Sequence, residues 1–255
     1  MPRIIESSFA SGDASRSKEI YRAVLPFSAR HKIYTMRQRE ELKDVRRAVT
    51  NVSSKGVFSL RRCDELRAIF VHVPKAAGTA ISKAIFGDLI DHYTCPQYKI
   101  IFGRKDYARY YKFTFVRDPW ARVYSAYKYL MAGGWGEYEG KRALDLIGEY
   151  SSFNEFVCNW LDSHNIERSV HFWPQHIFLS DICGSAAIDN IYRYESLDLE
   201  FARLCSVLGV DAHLEKINAT PGSSAADYRD HYTSRAVDRV YALYKRDIRL
   251  LKYEF

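Results

Sequence analysis

The spacing of apolar residues along the chain changes abruptly near residue 68. Before it, segments such as Ser17 to Leu25 and Arg37 to Val49 set isolated apolar positions among many Arg, Lys and Glu. They predict a helical N-terminal extension over residues 1–65, packed on the core as a lid. From Ala68 an unbroken apolar run, Ala68-Ile69-Phe70-Val71-His72-Val73, ends at Pro74 and a glycine-containing turn. That is the pattern of a parallel strand buried on both faces. A helix is expected from Thr79, with Ile81, Ala84 and Ile85 on one face and Gly87 as its stop. The pattern recurs at Lys112 to Val116, a second strand, after which Asp118 and Pro119 open a helix running through Val123, Tyr127 and Leu130 to Gly133-Gly134.

Farther on, Ser152 and Glu155 form a capping-box pattern ahead of Phe153, Phe156, Val157, Trp160 and Leu161, a core stripe at helical spacing. Asn190 to Tyr194 reads as a third strand and Leu199 to Leu208 as a helix ended by Gly209. A last helix, Ser234 to Leu251, carries Val237, Val240, Tyr241, Tyr244, Ile248 and Leu251 on one face. Strands alternating with helices predict an α/β fold, a parallel sheet flanked by helices, in a main domain over residues 66–255.

Composition narrows the function classes. With 47% hydrophobic and 15% aromatic residues in 255, the chain can bury a large core, which excludes global disorder. No apolar run approaches the roughly 20 residues that a membrane-spanning helix needs, and the N-terminus MPRIIESSFASGDASRSKE has no hydrophobic signal core. No transmembrane segment and a cytoplasmic location are therefore expected. Lys and Arg number 38 against 31 Asp and Glu, a net charge of +7 that suits anionic ligands. The basic residues are spread out, with clusters at Arg37 to Arg47 and Arg235 to Arg249 that read as solvated helix faces, so nucleic acid is not the expected partner. Cys63, Cys95, Cys158, Cys183 and Cys205 lack the short paired spacings of zinc sites and read as buried free thiols in a reducing compartment; no metal is expected.

Open α/β sheets bind ligands at the carboxyl ends of their strands, and both strand ends here carry unusual residues. After the first comes Pro74-Lys75-Ala76-Ala77-Gly78-Thr79. Small residues let backbone amides close around an anion, the helix N-terminus adds its positive end, and Lys75 supplies a full charge. The lysine precedes the glycine, so this is not the GxxxxGK[ST] loop of nucleotide triphosphatases. Alone, it also reads as a tight turn with a surface lysine. After the second strand come Arg117 and, about two turns into the next helix, Ser125, a guanidinium and a hydroxyl able to converge on a further phosphate. The plain reading is that Arg117 pairs with a carboxylate and Ser125 is a small buried residue; two such strand ends in one sheet weaken it.

PKAAGT after a strand, followed by FTFVRDPWARVYSAY, resembles the 5′-phosphosulfate loop and the 3′-phosphate motif of the carbohydrate sulfotransferases, the group related to Golgi glycosaminoglycan sulfotransferases and their bacterial relatives. The resemblance continues through Phe172-Trp173-Pro174-Gln175, Tyr192-Arg193-Tyr194-Glu195, Tyr244 to Asp247 and Tyr253-Glu254-Phe255, and so spans residues 68–255. It implies a P-loop-like fold and transfer of a sulfuryl group from 3′-phosphoadenosine 5′-phosphosulfate (PAPS) to a hydroxyl, most often on a sugar or glycoconjugate. It implies that Lys75, Ala76, Ala77, Gly78, Thr79 and Ala80 surround the 5′-phosphosulfate, with Lys75 at the bridging oxygen, and that Arg117 and Ser125 hold the 3′-phosphate. Ala80 stands where relatives often have a polar residue. Asn218 to Tyr232, with Gly222, Ser223, Ser224 and Tyr228, has the composition of a loop over the nucleotide or of a plain loop.

The acceptor hydroxyl needs a base, and histidine suits neutral pH. His72 lies within the first expected strand and reads as a satisfied core residue; His31, His164, His213 and His231 have no motif context. His92, in Asp91-His92-Tyr93-Thr94-Cys95-Pro96, matches roughly where sugar 2-O-sulfotransferases of the resembled family place their base. His171 and His176 flank Phe172 to Gln175 and remain alternatives. Two other functions are to be weighed: a small-molecule or nucleoside kinase, which the lysine order and the lack of magnesium carboxylates disfavour, and a non-catalytic anionic-glycan-binding module.

Overall fold

A computed structural model describes residues 24–50, 60–134, 136–181, 187–215 and 228–255. In chain order its elements are α1 (Phe27–Arg37), α2 (Arg39–Thr50), α3 (Arg61–Leu66), β1 (Ala68–Phe70), α4 (Gly78–Phe86), α5 (Cys95–Ile101), α6 (Gly103–Arg109), β2 (Tyr111–Val116), α7 (Pro119–Met131), α8 (Gly136–Ile147), α9 (Phe153–Asn159), α10 (Gln175–Leu179), β3 (Asn190–Arg193), α11 (Leu197–Leu208) and α12 (Ser234–Leu251), with short 3₁₀ turns between some of them. They gather into two compact units that interleave along the chain. A sheet unit takes residues 24–116 and 175–215; a helical unit takes 117–174 and 228–255.

In the sheet unit the three strands are parallel in the order β1-β2-β3, registered Phe70 to Phe113 and Phe115 to Tyr192. β1 is wholly buried and β2 nearly so, which is why both are apolar runs without alternation. Phe70, Phe86 and Phe113 stack at centroid separations of 5.2 to 6.5 Å, and the Tyr98 hydroxyl donates to the Phe70 carbonyl at 2.9 Å. α2 and α1 pack on α5, placing the described part of the N-terminal extension on this unit.

The expected strands and helices are present, with shifted ends. β1 stops at Phe70, three residues short of Val73. The Val71 amide still donates to the Phe113 carbonyl, but the Thr114 hydroxyl takes the Val71 carbonyl at 2.7 Å, and the Val73 amide folds back onto Val71, turning the chain out of the sheet. His72 thus lies beyond the strand. α4 begins at Gly78 and ends on Gly87 in the left-handed region (φ 76°), as the stop signal predicts. α5 and α6 were not expected. A local signal for α5 exists: Gln97 Oε1 accepts from the Thr94 amide at 2.8 Å, the reciprocal half of a capping box, with Pro96 in the first turn.

The helical unit is built on aromatics. Trp120, Tyr124, Tyr127, Phe153, Phe156, Trp160, Phe172 and Tyr244 share one core with Val123, Val157, Leu161, Val240 and Ile248. α9 is opened by Ser152, whose hydroxyl accepts from the Glu155 amide as its sequence suggests. α12 spans Ser234–Leu251 as expected, but the face it buries includes Ala236 and Asp247, while Tyr241 is exposed. Non-helical geometry at Tyr244 rotates the stripe away from ideal spacing.

Ser17 to Ala23, most of Asn218 to Tyr232 and Cys183 lie outside the described residues. The other four cysteines are free thiols, Cys63 and Cys95 buried as expected, Cys158 and Cys205 only half-buried. Among the described residues no helix is long and apolar enough to cross a membrane.

Candidate active site

Residues between the end of β1 and the start of α4 have no regular hydrogen-bond ladder, and the loop they form is conformationally demanding. Lys75 (φ 68°) and Ala77 (φ 62°) are both left-handed, a region that costs a non-glycine residue about 1 to 3 kcal/mol. Ala77 is the N-cap of α4, whose first amides have no acceptor within the helix. Left-handed residues leading into a helix N-terminus turn successive amides toward one side, the geometry of an anion nest. Ala76 is buried; Lys75, Ala77, Thr79 and Ala80 are partly exposed.

Gly78 is demanded by its neighbour. A Cβ there would lie 1.9 Å from His72 Cδ2 and 2.0 Å from Nε2. The buried His72 ring stacks on Phe70 at 5.5 Å and donates Nδ1–H to the Ile90 carbonyl at 2.6 Å. Burial, then the neighbouring His92, holds its pKa well below the usual histidine value, with Lys75 acting in the same direction and the Ile90 bond and Asp91 opposing. His72 is therefore neutral, as its reading as a satisfied core residue requires, but it is also the centre of the site. His92 Nδ1 lies 2.9 Å from the His72 carbonyl oxygen, and the two rings are 4.0 Å apart. Because that oxygen can only accept, His92 carries its proton on Nδ1, and in the neutral ring Nε2 is the basic nitrogen. Asp91 Oδ1 accepts the His92 amide at 2.7 Å. Gly78 and His92 thus meet around one residue, His72, whose charge Lys75 also opposes; His176, on α10 of the same unit, is partly exposed.

Arg117, Ser125 and His171 belong to the helical unit. Arg117 directly follows β2 and is buried, as is Ser125. α7 starts where Asp118 accepts the Ala121 amide at 2.9 Å, with Pro119 at its first position. Arg122, which the sequence did not single out, is fully buried. It donates to the carbonyls of His171 at 3.0 Å and Trp173 at 2.6 Å and lies over the Tyr244 ring. The Tyr244 hydroxyl takes the Phe172 carbonyl at 2.6 Å between them. Three successive carbonyls are thereby held, which fixes the segment carrying His171, whose Nδ1 is 3.2 Å from the Ser169 hydroxyl. Only the buried, spaced arginine within RDPWAR could have signalled this anchor. Among the described residues no group of three or more His, Cys, Asp or Glu could hold a metal.

A family model described as "Sulfotransferase family" matches residues 59–254, from just before α3 to the C-terminus. The chain belongs to this family and is a sulfotransferase, an enzyme of the class that draws its sulfuryl group from PAPS. No curated protein and no solved structure matches the chain.

Proposed function

We propose that this sulfotransferase moves the sulfuryl group of PAPS to a hydroxyl of a carbohydrate or glycoconjugate, with Lys75 as electrostatic catalyst and His92 as general base. The observation that supports this most is the His92 Nδ1 contact with the His72 carbonyl at 2.9 Å, which leaves Nε2 as the basic nitrogen beside the strained loop. On this reading the amides of Lys75 to Ala80 receive the 5′-phosphosulfate. Arg117 and Ser125 take the 3′-phosphate, the group that separates this donor from ATP.

The acceptor oxygen attacks sulfur in line with the bond to the bridging oxygen. Its proton passes to His92 Nε2, the new O–S bond forms, the old S–O bond breaks, and adenosine 3′,5′-bisphosphate leaves with the bonding pair. Charge grows on the bridging oxygen as the sulfuryl group departs. A lysine ammonium and fixed amides stabilise that charge more than the ground state. The sugar as acceptor is what the resemblance to carbohydrate sulfotransferases implies, and a cytoplasmic setting is proposed with it.

The test is thermal-shift and calorimetric binding of adenosine 3′,5′-bisphosphate against AMP, ADP and ATP, followed by transfer assays on a panel of sugars, lipid-linked sugars and phenols. Selective stabilisation by the bisphosphate and turnover on sugars are expected. Preference for ATP would restore the kinase alternative, and binding without turnover on any acceptor would leave a glycan-binding module.

A further inference from the structure

Resting on the reading of His92 as base, we propose that the side chain of His72 is a positioning residue for the transfer step: it holds the Nδ1–H form and orientation of His92. Three separate contacts converge on it. Its Nδ1–H bond to the Ile90 carbonyl at 2.6 Å ties the segment that carries His92 to the end of β1. Its own carbonyl accepts His92 Nδ1–H at 2.9 Å. Its ring edge occupies the space where residue 78 would carry a Cβ, so ring and loop pack directly against each other.

A carbonyl facing Nδ1–H sets the tautomer of a catalytic histidine and steadies the imidazolium that forms when Nε2 takes a proton, the part that a carboxylate plays in a Ser-His-Asp triad. A backbone oxygen stays in place only as well as its residue does. Here the residue has left the sheet, since β1 ends at Phe70. What fixes it is the side chain, through Ile90, Phe70 and Gly78. The ring is buried and neutral, so it adds no second positive charge beside Lys75 and His92.

The first measurement uses the unaltered protein. Nitrogen NMR of ¹⁵N-histidine-labelled chain at neutral pH is expected to show His92 protonated on Nδ1; protonation on Nε2 overturns the proposal. The second compares His72→Phe, which keeps a ring but loses the Nδ1–H, with His72→Asn, which keeps an N–H near that position. His72→Phe is expected to lower kcat at least about tenfold and to disturb the acid limb of the kcat–pH profile. His72→Asn is expected to recover to within about fivefold of wild type, and bisphosphate affinity to change less than about threefold in both. In the double variant with His92→Ala, His72→Phe is expected to cost nothing further, since it acts through the base. Losses that multiply in the double variant, or a His72→Phe enzyme within twofold of wild type, overturn the proposal. The underlying assignment fails separately: if His92→Ala itself retains more than about a third of wild-type kcat, His92 is not the base, whatever its tautomer.

Discussion

The sheet unit and the helical unit hold their buried polar groups in opposite ways. In the helical unit Arg122 is immobilised by direct hydrogen bonds to the carbonyls of His171 and Trp173, under a core of stacked aromatics. In the sheet unit the backbone itself is arranged: two left-handed non-glycine residues, a glycine with no room for a Cβ, and two histidines joined through a carbonyl. Recognising a phosphate that keeps its charge throughout needs only a fixed cation. Stabilising charge that appears during reaction needs dipoles set in advance, and a strained loop held by its surroundings supplies them. On the proposed assignment the helical unit supplies the fixed cation for the 3′-phosphate, Arg117, and the sheet unit supplies the preset dipoles of the transfer.

The largest expected effect tests the transfer side. His92→Ala should lower kcat by about 10² to 10⁴, the span of a general base, with bisphosphate affinity near wild type; a parallel loss of nucleotide affinity would erase the distinction between the units. His171→Ala and His176→Ala should act mainly on acceptor KM.

Next is the anchor of the helical unit. Arg122→Leu leaves two buried carbonyls without that donor, which should cost about 1 to 3 kcal/mol for each. All four tryptophans lie in residues 117–174, so urea unfolding followed by tryptophan fluorescence reports on this unit. An unchanged midpoint would show that the anchor is not structural.

The sheet unit has its own acid sensitivity. His31 is buried, and burial pulls its pKa to about 4. Its unfolded value is near 6.5, so the unfolded chain binds a proton in that interval that the folded chain does not. Stability is therefore full above pH 6.5 and declines as pH falls to about 4, by on the order of 3 kcal/mol from this group. His72 contributes in the same direction. Far-UV circular dichroism melts across that range should show the decline, and His31→Leu should flatten it; an undiminished slope in the variant would place the proton elsewhere.

A smaller effect belongs to Arg117→Ala, which should weaken adenosine 3′,5′-bisphosphate binding by about 1.5 to 3 kcal/mol and leave AMP almost unaffected. Calorimetry giving equal losses for both would remove the 3′-phosphate from the helical unit. The smallest is that of EDTA, expected to leave turnover nearly intact because, on the proposed assignment, Lys75 and the loop amides neutralise the leaving phosphate. A strict need for added magnesium would show otherwise.

Local physics wrote much of this protein in its sequence. Buried parallel strands must be apolar on both faces and a helix must be capped: β1, β2, α4, α7 and α12 were therefore legible from neighbours within a few positions, and Lys75 to Ala80 stood out as candidates for the same local reason. Asp118 and Ser152 cap the helices that their sequences announce. What needed the tertiary structure was each feature made by residues distant along the chain. His72 could be read only as core, because its partners Ile90 and His92 lie 18 and 20 positions away. Arg122 carries no local signal because the carbonyls that it holds come from residues 49 and 51 positions on. The end of β1 falls short of the apolar run because a hydroxyl from the neighbouring strand, not any residue of its own, captures the Val71 carbonyl. Short-range pattern records what a segment requires of itself; which groups meet to satisfy a buried ring, guanidinium or carbonyl is decided only when the chain closes on itself.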